Sequence, residues 1–141
     1  MKCRAVIDTN VLVSALIAKS ETSAPVCVLQ RIFNQEVMPV FSETILDEYT
    51  EVLNREKFHF PKEQVKSFIE EFRELGMLLN AENTDITLPD MSDVPFYAVT
   101  LASGIDETFL VTGNSRHFPS GKFVVSPADF LTILDSMPDK P

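Results

Sequence analysis

The sequence predicts an α/β fold with a mainly parallel sheet, and two observations carry that expectation. Short apolar runs with β-branched residues, at Arg4–Ile7, Val37–Phe41, Thr108–Thr112 and Phe123–Val125, alternate with longer stretches whose apolar residues recur at helical spacing. The first run stops at Asp8-Thr9-Asn10 and the one ending at Thr112 stops at Gly113-Asn114, polar breaks of the kind found where a parallel strand hands over to a crossover helix. At 141 residues the chain matches about one domain on the usual scale of roughly 150 residues. Its 45% hydrophobic content is enough material for one core.

The elements follow in order. Arg4–Ile7 reads as a strand and Val11–Ala18 as a helix. Ala24–Phe33 is a second helix, with Pro25 in the first turn, where a missing N–H does no harm, and Val28, Leu29, Ile32 and Phe33 on one face. Val37–Phe41 is a strand, and Ser42 is placed to cap the helix after it. Pro61 breaks the chain before an amphipathic helix over Lys62–Leu75, which Gly76 stops. Met77–Leu79 reads as a short strand. Ser92 or Asp93 opens a helix that runs through Ala102 to a stop at Gly104. After the strands Thr108–Thr112 and Phe123–Val125, Ser126-Pro127 starts a last helix reaching about Asp135. No repeat or linker divides the chain, so residues 1–137 read as one domain and 138–141 as a short Pro-rich tail.

Composition excludes several classes. The formal net charge is −9, which rules out a basic coat protein but not a local basic groove. No stretch reaches the roughly 18 apolar residues of a membrane span, and the opening residues reach Asp8 too soon for a signal peptide. Cys3 and Cys27 make no C-x-x-C pair, and a reduced, cytoplasmic setting is expected. With His59 and His117 the only histidines, a metal here should be a hard cation held by oxygen.

Among 21 acids, a few are out of place on a solvated face. Asp8 follows Ala5-Val6-Ile7, where an isolated charge is costly unless a cation or a donor meets it; it reads as a helix cap, a metal ligand or both. In the helix after Ser42, Ile45, Leu46, Tyr49, Val52 and Leu53 form an apolar stripe at about 100° per residue. Asp47 and Glu51 fall opposite that stripe, whereas Glu48 falls on its shoulder, facing either a cleft or, by snorkelling, water. Asp93 stands at a helix start and reads as a cap or a ligand; Asp90 reads as a loop acid. Asn114 reads as a turn residue beside Gly113.

Asp8-Thr9-Asn10-Val11 after a first short strand resembles the opening motif of PIN domains, a family of metal-dependent nucleases. The resemblance continues through Ser42-x-x-Ile45-x-x-Glu48, through Asp93-x-x-Phe96 with Ala98 and Ala102, and through Val111-Thr112-Gly113-Asn114. It covers roughly residues 4 to 130, and the subgroup it most resembles is the bacterial and archaeal PIN proteins filed as toxins of toxin–antitoxin pairs. The resemblance implies a three-layer α/β/α sandwich with a central parallel sheet. It further implies an endoribonuclease hydrolysing RNA phosphodiesters, with Mg²⁺ or Mn²⁺ held by Asp8, Glu48 and Asp93 and with Asn114 in the fourth position. There the family usually carries Asp; an amide can still ligate a cation or orient water, and a one-metal or a two-metal site remains open. RNA is the implied substrate, with a cognate antitoxin protein and a homo-oligomer as further partners left open, and no membrane.

The chemistry suits these residues, since Mg²⁺ prefers oxygen ligands and clustered acids without a cation would repel a phosphate. Thr9, Asn10, Ser42, Thr112 and Ser115 read either as donors that orient the acids or as cap and turn residues. Arg116 and His117 read as phosphate contacts or as a surface turn. Arg55, Lys57, Lys62, Lys66 and Arg73 form either a solvated face or an RNA track, with Phe58 and Phe60 able to stack bases or to pack. A phosphatase with Asp8 as nucleophile would need a second acid two residues on, where Asn10 stands. The other rival is a catalytically weak or inactive PIN-like module that binds RNA or protein.

Overall fold

Consecutive residues of a strand point to opposite faces of a sheet, so a strand buried at every position must be covered on both sides. Ala5, Val6 and Ile7 are each 0% exposed, which puts β1 (Cys3–Ile7) at the centre of a three-layer α/β/α sandwich. The computed structural model describes residues 2–81 and 85–138. Among these, β1 is followed by α1 (Thr9–Ile17), α2 (Ala24–Phe33), β2 (Val37–Phe41), α3 (Glu43–Leu53), α4 (Lys62–Leu75) and β3 (Met77–Leu78). Then come α5 (Val94–Ser103), β4 (Thr108–Val111), β5 (Val124–Val125) and α6 (Pro127–Ser136).

All strand pairs are parallel, in the order β3-β2-β1-β4-β5. From β1 the chain winds outward through β2 and β3, then crosses back through α5 to β4 on the other side of β1. The strand order therefore reverses between β1 and β4, and open α/β sheets bind ligands in the crevice beyond the strand ends at such a point. In register, Ile7 pairs with Val111, so Asp8 and Thr112 leave the sheet side by side. α5 packs along β1, β2 and β4, α4 along β2 and β3, and α6 on β4 and α2.

The core between these layers is aromatic on the α3–α5 side. Tyr49 is fully buried and meets Phe72 edge-on, with ring centres 5.7 Å apart at 87°, and Phe96 at 6.3 Å. Such pairs add about 0.5–1.5 kcal/mol beyond the area they bury. The Tyr49 hydroxyl donates to the Ile7 carbonyl at the end of β1.

The expected elements lie where the sequence placed them, with a few physical differences. α1 begins at Thr9 instead of Val11, because the chain turns directly off β1 and the Val11 N–H reaches the Asp8 carbonyl at 3.0 Å. β3 and β5 are cut to two residues each, being edge strands with two register pairs. A 3₁₀ turn over Met91–Asp93 precedes α5. It is Asp90 that caps this turn, accepting from the Ser92 N–H at 2.9 Å, while the Asp93 side chain caps nothing. Of the tail at 138–141, Pro138 is exposed and residues 139–141 lie outside the described residues.

Gly76 ends α4 for a different reason from the one its position suggests. Its φ is −117°, open to any residue, and the constraint is steric: a methyl built on it would overlap the Pro39 carbonyl oxygen and the Phe41 ring of β2. Gly76→Ala should therefore lower stability by about 1–3 kcal/mol, the range of an overpacked core, in urea denaturation. An unchanged midpoint would mean that β3 is free to move off β2.

Candidate functional site

Asp8 is the first residue past β1, and the end of β4 beside it holds it in place. It is 6% exposed. Thr112, the first residue past β4, donates its hydroxyl to Asp8 Oδ2 at 2.7 Å and accepts the Asn114 N–H at 3.0 Å. Asp8 precedes α1 without a side-chain cap hydrogen bond to that helix, although the Thr9 backbone N–H also draws its carboxyl downward.

Glu48 comes from α3, where the apolar stripe sets the phase. Ile45, Leu46, Tyr49 and Leu53 are buried, Asp47 and Glu51 are exposed, and Glu48 is half-buried between them. The Thr9 hydroxyl donates to Glu48 Oε2, so Thr9 acts as the donor and not as a cap. Asp93, at the head of α5, is 9% exposed. Its Oδ2 lies 3.2 Å from His117 Nδ1, in a geometry that leaves this buried oxygen without a directed hydrogen bond among the described residues.

These three acids feel one another. Burial first, then the charges of Asp93 and Glu48, push the Asp8 carboxyl up to about 6, against the pull of the Thr112 hydroxyl. Glu48 is raised by burial and by Asp93, opposed by Thr9. Asp93 is raised by burial and by Asp90, opposed by His117. Raised carboxylates with a shared cause mark a place where a cation would relieve strain.

The remaining candidates take varied places. Ser42 is the cap of α3, its hydroxyl accepting the Ile45 N–H at 3.2 Å. Asn10 accepts the Gly113 N–H through Oδ1 at 3.3 Å. Asn114 is exposed, and its backbone N–H reaches the Thr112 hydroxyl that is bound to Asp8. Arg116 and Ser115 are exposed on a 3₁₀ turn over Ser115–His117, and His117 on the same turn faces Asp93. Of the basic residues, Arg55 is paired with Glu51 at 2.9 Å and Arg73 with Glu43 at 2.8 Å. Phe58 and Phe60 stack on each other at 5.8 Å. Sequence reasoning missed Tyr49 as the tie between α3 and β1; its stripe position revealed burial but not its hydroxyl partner.

A divalent cation would find suitable donors here: carboxylate oxygens alone, one of them buried and unsatisfied at Asp93. Among the described residues no three acids, histidines or cysteines yet converge as a ready-made metal cluster. Each acid is instead drawn toward a protein neighbour, Asp8 to Thr112, Glu48 to Thr9 and Asp93 to His117. No helix among the described residues is long and apolar enough to cross a membrane.

The family model for the PIN domain matches residues 4–116, a span that contains Asp8, Glu48, Asp93 and Asn114. No curated protein matches the chain.

The raised Asp8 carboxyl sets a pH dependence whose sign is fixed by linkage. Its value is about 6 in the fold against 3.8 ordinarily, so the folded state holds this proton more tightly than the unfolded one. The contribution to stability is full below 3.8 and is lost as pH rises through 6. In chelator at pH 7, Asp8→Asn should be more stable than the parent by on the order of 2 kcal/mol. That difference should shrink toward zero by pH 4 in urea denaturation. A variant that is less stable at pH 7 would place the carboxyl outside the acid cluster.

Proposed function

The chain belongs to the PIN-domain family, whose members are generally nucleases, and from that premise we propose that residues 1–137 act as one domain and form a Mg²⁺- or Mn²⁺-dependent endoribonuclease. What supports this reading is that Asp8 leaves β1 at the strand-order reversal beside Thr112, and that Asp8, Glu48 and Asp93, from three separate elements, each have a carboxyl raised first by burial. Like charges near one another at the edge of a core cost the fold stability, and function is what retains them.

The proposed roles follow from the geometry. Asp8, Glu48 and Asp93 hold the cation, with Asn114 at the rim offering an amide. Bound there, Mg²⁺ or Mn²⁺ supplies Lewis acidity, activating water for in-line attack on phosphorus and screening the charge that gathers on the phosphate oxygens. Thr112 keeps Asp8 Oδ2 fixed, and Thr9 does the same for Glu48 Oε2; neutral hydroxyls orient the acids without cancelling their charge. Asn10, through Gly113, braces the turn that carries Asn114. His117 steadies Asp93, and Arg116 beside it is exposed to meet a phosphate. Lys62 and Lys66, exposed along α4, extend the track on which RNA would lie. The same reading makes the protein the toxin of an antitoxin-controlled pair in the cytoplasm, working as a homo-oligomer or alone.

Asp8→Asn and Asp93→Asn should each abolish metal-dependent RNA cleavage, with the circular dichroism spectrum kept. Glu48→Gln should do the same, while Asp47→Asn and Glu51→Gln on the exposed face of α3 should retain activity within about twofold, as surface changes do. Activity retained by any of the first three purified variants sinks the metal-site assignment. Mn²⁺ titration of the parent separates this reading from an inactive binding module, which would take up no ion through these acids.

Replacing Lys62 and Lys66 together with Glu should weaken RNA binding and make it less sensitive to salt. The slope of log affinity against log salt should become shallower by up to about one for each phosphate the protein no longer neutralises. An unchanged slope in filter binding at three salt concentrations would return these lysines to a solvated face.

A further inference from the structure

Beside the acids lies a cleft that shares only its Asn10 and Asn114 edge with the proposed metal site. Its volume is about 460 Å³, and Asn10, Ser14, Gly113, Asn114, Pro25 and Pro127 line it with no charged side chain among its walls. It is held in register with the acids through two links. Asn10 is two residues past Asp8, and Asn114 donates its N–H to the same Thr112 hydroxyl that is bound to Asp8 at 2.7 Å.

The polar groups of the cleft have a definite sense. The Gly113 N–H can only donate, so the atom of Asn10 that meets it at 3.3 Å is the carbonyl oxygen, which leaves the Asn10 NH₂ as donor with no protein partner among the described residues. The exposed Asn114 side chain adds an amide with both a donor and an acceptor. The two prolines and the alanines beside them supply flat apolar walls. A phosphate has no cation to meet here. A nucleobase fits: it is flat, uncharged and edged with fixed donors and acceptors that Asn amides pair with, and single-stranded RNA presents such bases unstacked. The volume is that of a small-ligand site at the lower end of about 300–1,000 Å³.

We propose that this cleft is a base-recognition subsite that takes one unstacked base of the RNA strand next to the scissile phosphate and so sets the cleavage preference. The inference rests on the nuclease reading above. Ser14 on α1 and Ala128 in the first turn of α6 line the cleft, are exposed and have no part in the proposed chemistry, so Ser14→Phe and Ala128→Phe fill it independently of each other.

Two measurements test it. In chelator, the four ribonucleosides, which carry no phosphate, should shift the side-chain amide resonances of Asn10 and Asn114 unequally, and Ala128→Phe should abolish those shifts. Equal or absent shifts for all four would overturn the subsite. With Mn²⁺ and a randomised RNA pool, sequencing of the cut ends should show a base preference at one position beside the cut. Both filling variants should flatten it at least fivefold while total cleavage falls by less. Cleavage without preference, or a preference unchanged in both variants, overturns the subsite and leaves the nuclease reading standing. A parent that cuts no RNA with either metal overturns the nuclease reading, and the subsite with it.

Discussion

The hydrogen bond from the Tyr49 hydroxyl to the Ile7 carbonyl is the tie on which the site depends. Tyr49 is adjacent to Glu48 and Ile7 to Asp8, so one buried contact fixes the distance between two acids forty residues apart in sequence. The acids would not approach on their own account; their charges repel. The force comes from the aromatic packing of Tyr49 on Phe72 and Phe96, and the hydroxyl then chooses which part of β1 that packing lands on. Burial and the neighbouring charges of Asp8 and Glu48 push the Tyr49 phenol well above its ordinary value, so it stays a neutral donor. Leaving the Ile7 carbonyl unpaired in the core would cost about 1–3 kcal/mol, a large part of the stability of a domain this size.

The partners given to the acids are as informative as the acids. Asp8 and Glu48 are held by threonine hydroxyls and Asp93 by a histidine, and among the described residues no Lys or Arg forms an ion pair with any of the three. Four arginines are paired elsewhere: Arg4 with Glu107, Arg31 with Glu36, Arg55 with Glu51 and Arg73 with Glu43. A lysine or arginine in the crevice would stabilise the metal-free fold and would also compete with an incoming divalent ion. The two threonine hydroxyls orient the Asp8 and Glu48 oxygens and leave their negative charge in place. The local arrangement thus costs the bare protein stability and leaves carboxylate charge that a cation would relieve.

Much of this was legible in the sequence because burial leaves a periodic trace. The stripe of α3 placed Glu48 on its shoulder and put Asp47 and Glu51 in solvent, and the boundaries of α2, β2 and α4 coincide with the breaks in pattern. What the pattern does not encode is which of two local roles a polar residue takes. Ser42 and Thr9 are both hydroxyls near a helix start, yet Ser42 caps its helix and Thr9 turns to Glu48, a choice made by what α3 brings within reach. Asp90 caps the turn before α5 while Asp93 stays free of it, because the 3₁₀ turn shifts the capping position three residues upstream. The partnership of His117 with Asp93 and the steric need for Gly76 depend on elements far apart in the chain, and local propensity carries no trace of either.

The departure at Asn114 acquires a physical meaning from these placements. A carboxylate there would bring a fourth negative charge to the group that already holds Asp8 near 6, raising the burden on the metal-free fold. The amide avoids that burden, and its backbone N–H still reaches Thr112, so the brace on Asp8 survives the loss of charge. Freed from charge balance, the side chain stands exposed at the mouth of an uncharged cleft, where an amide has more to offer a base edge than a carboxylate would. The same substitution weakens the electrostatic hold on a cation at this position and gains a group that can discriminate what lies beside it. Position 114 is therefore better suited to reading substrate than to holding metal, and the remaining three acids carry the charge.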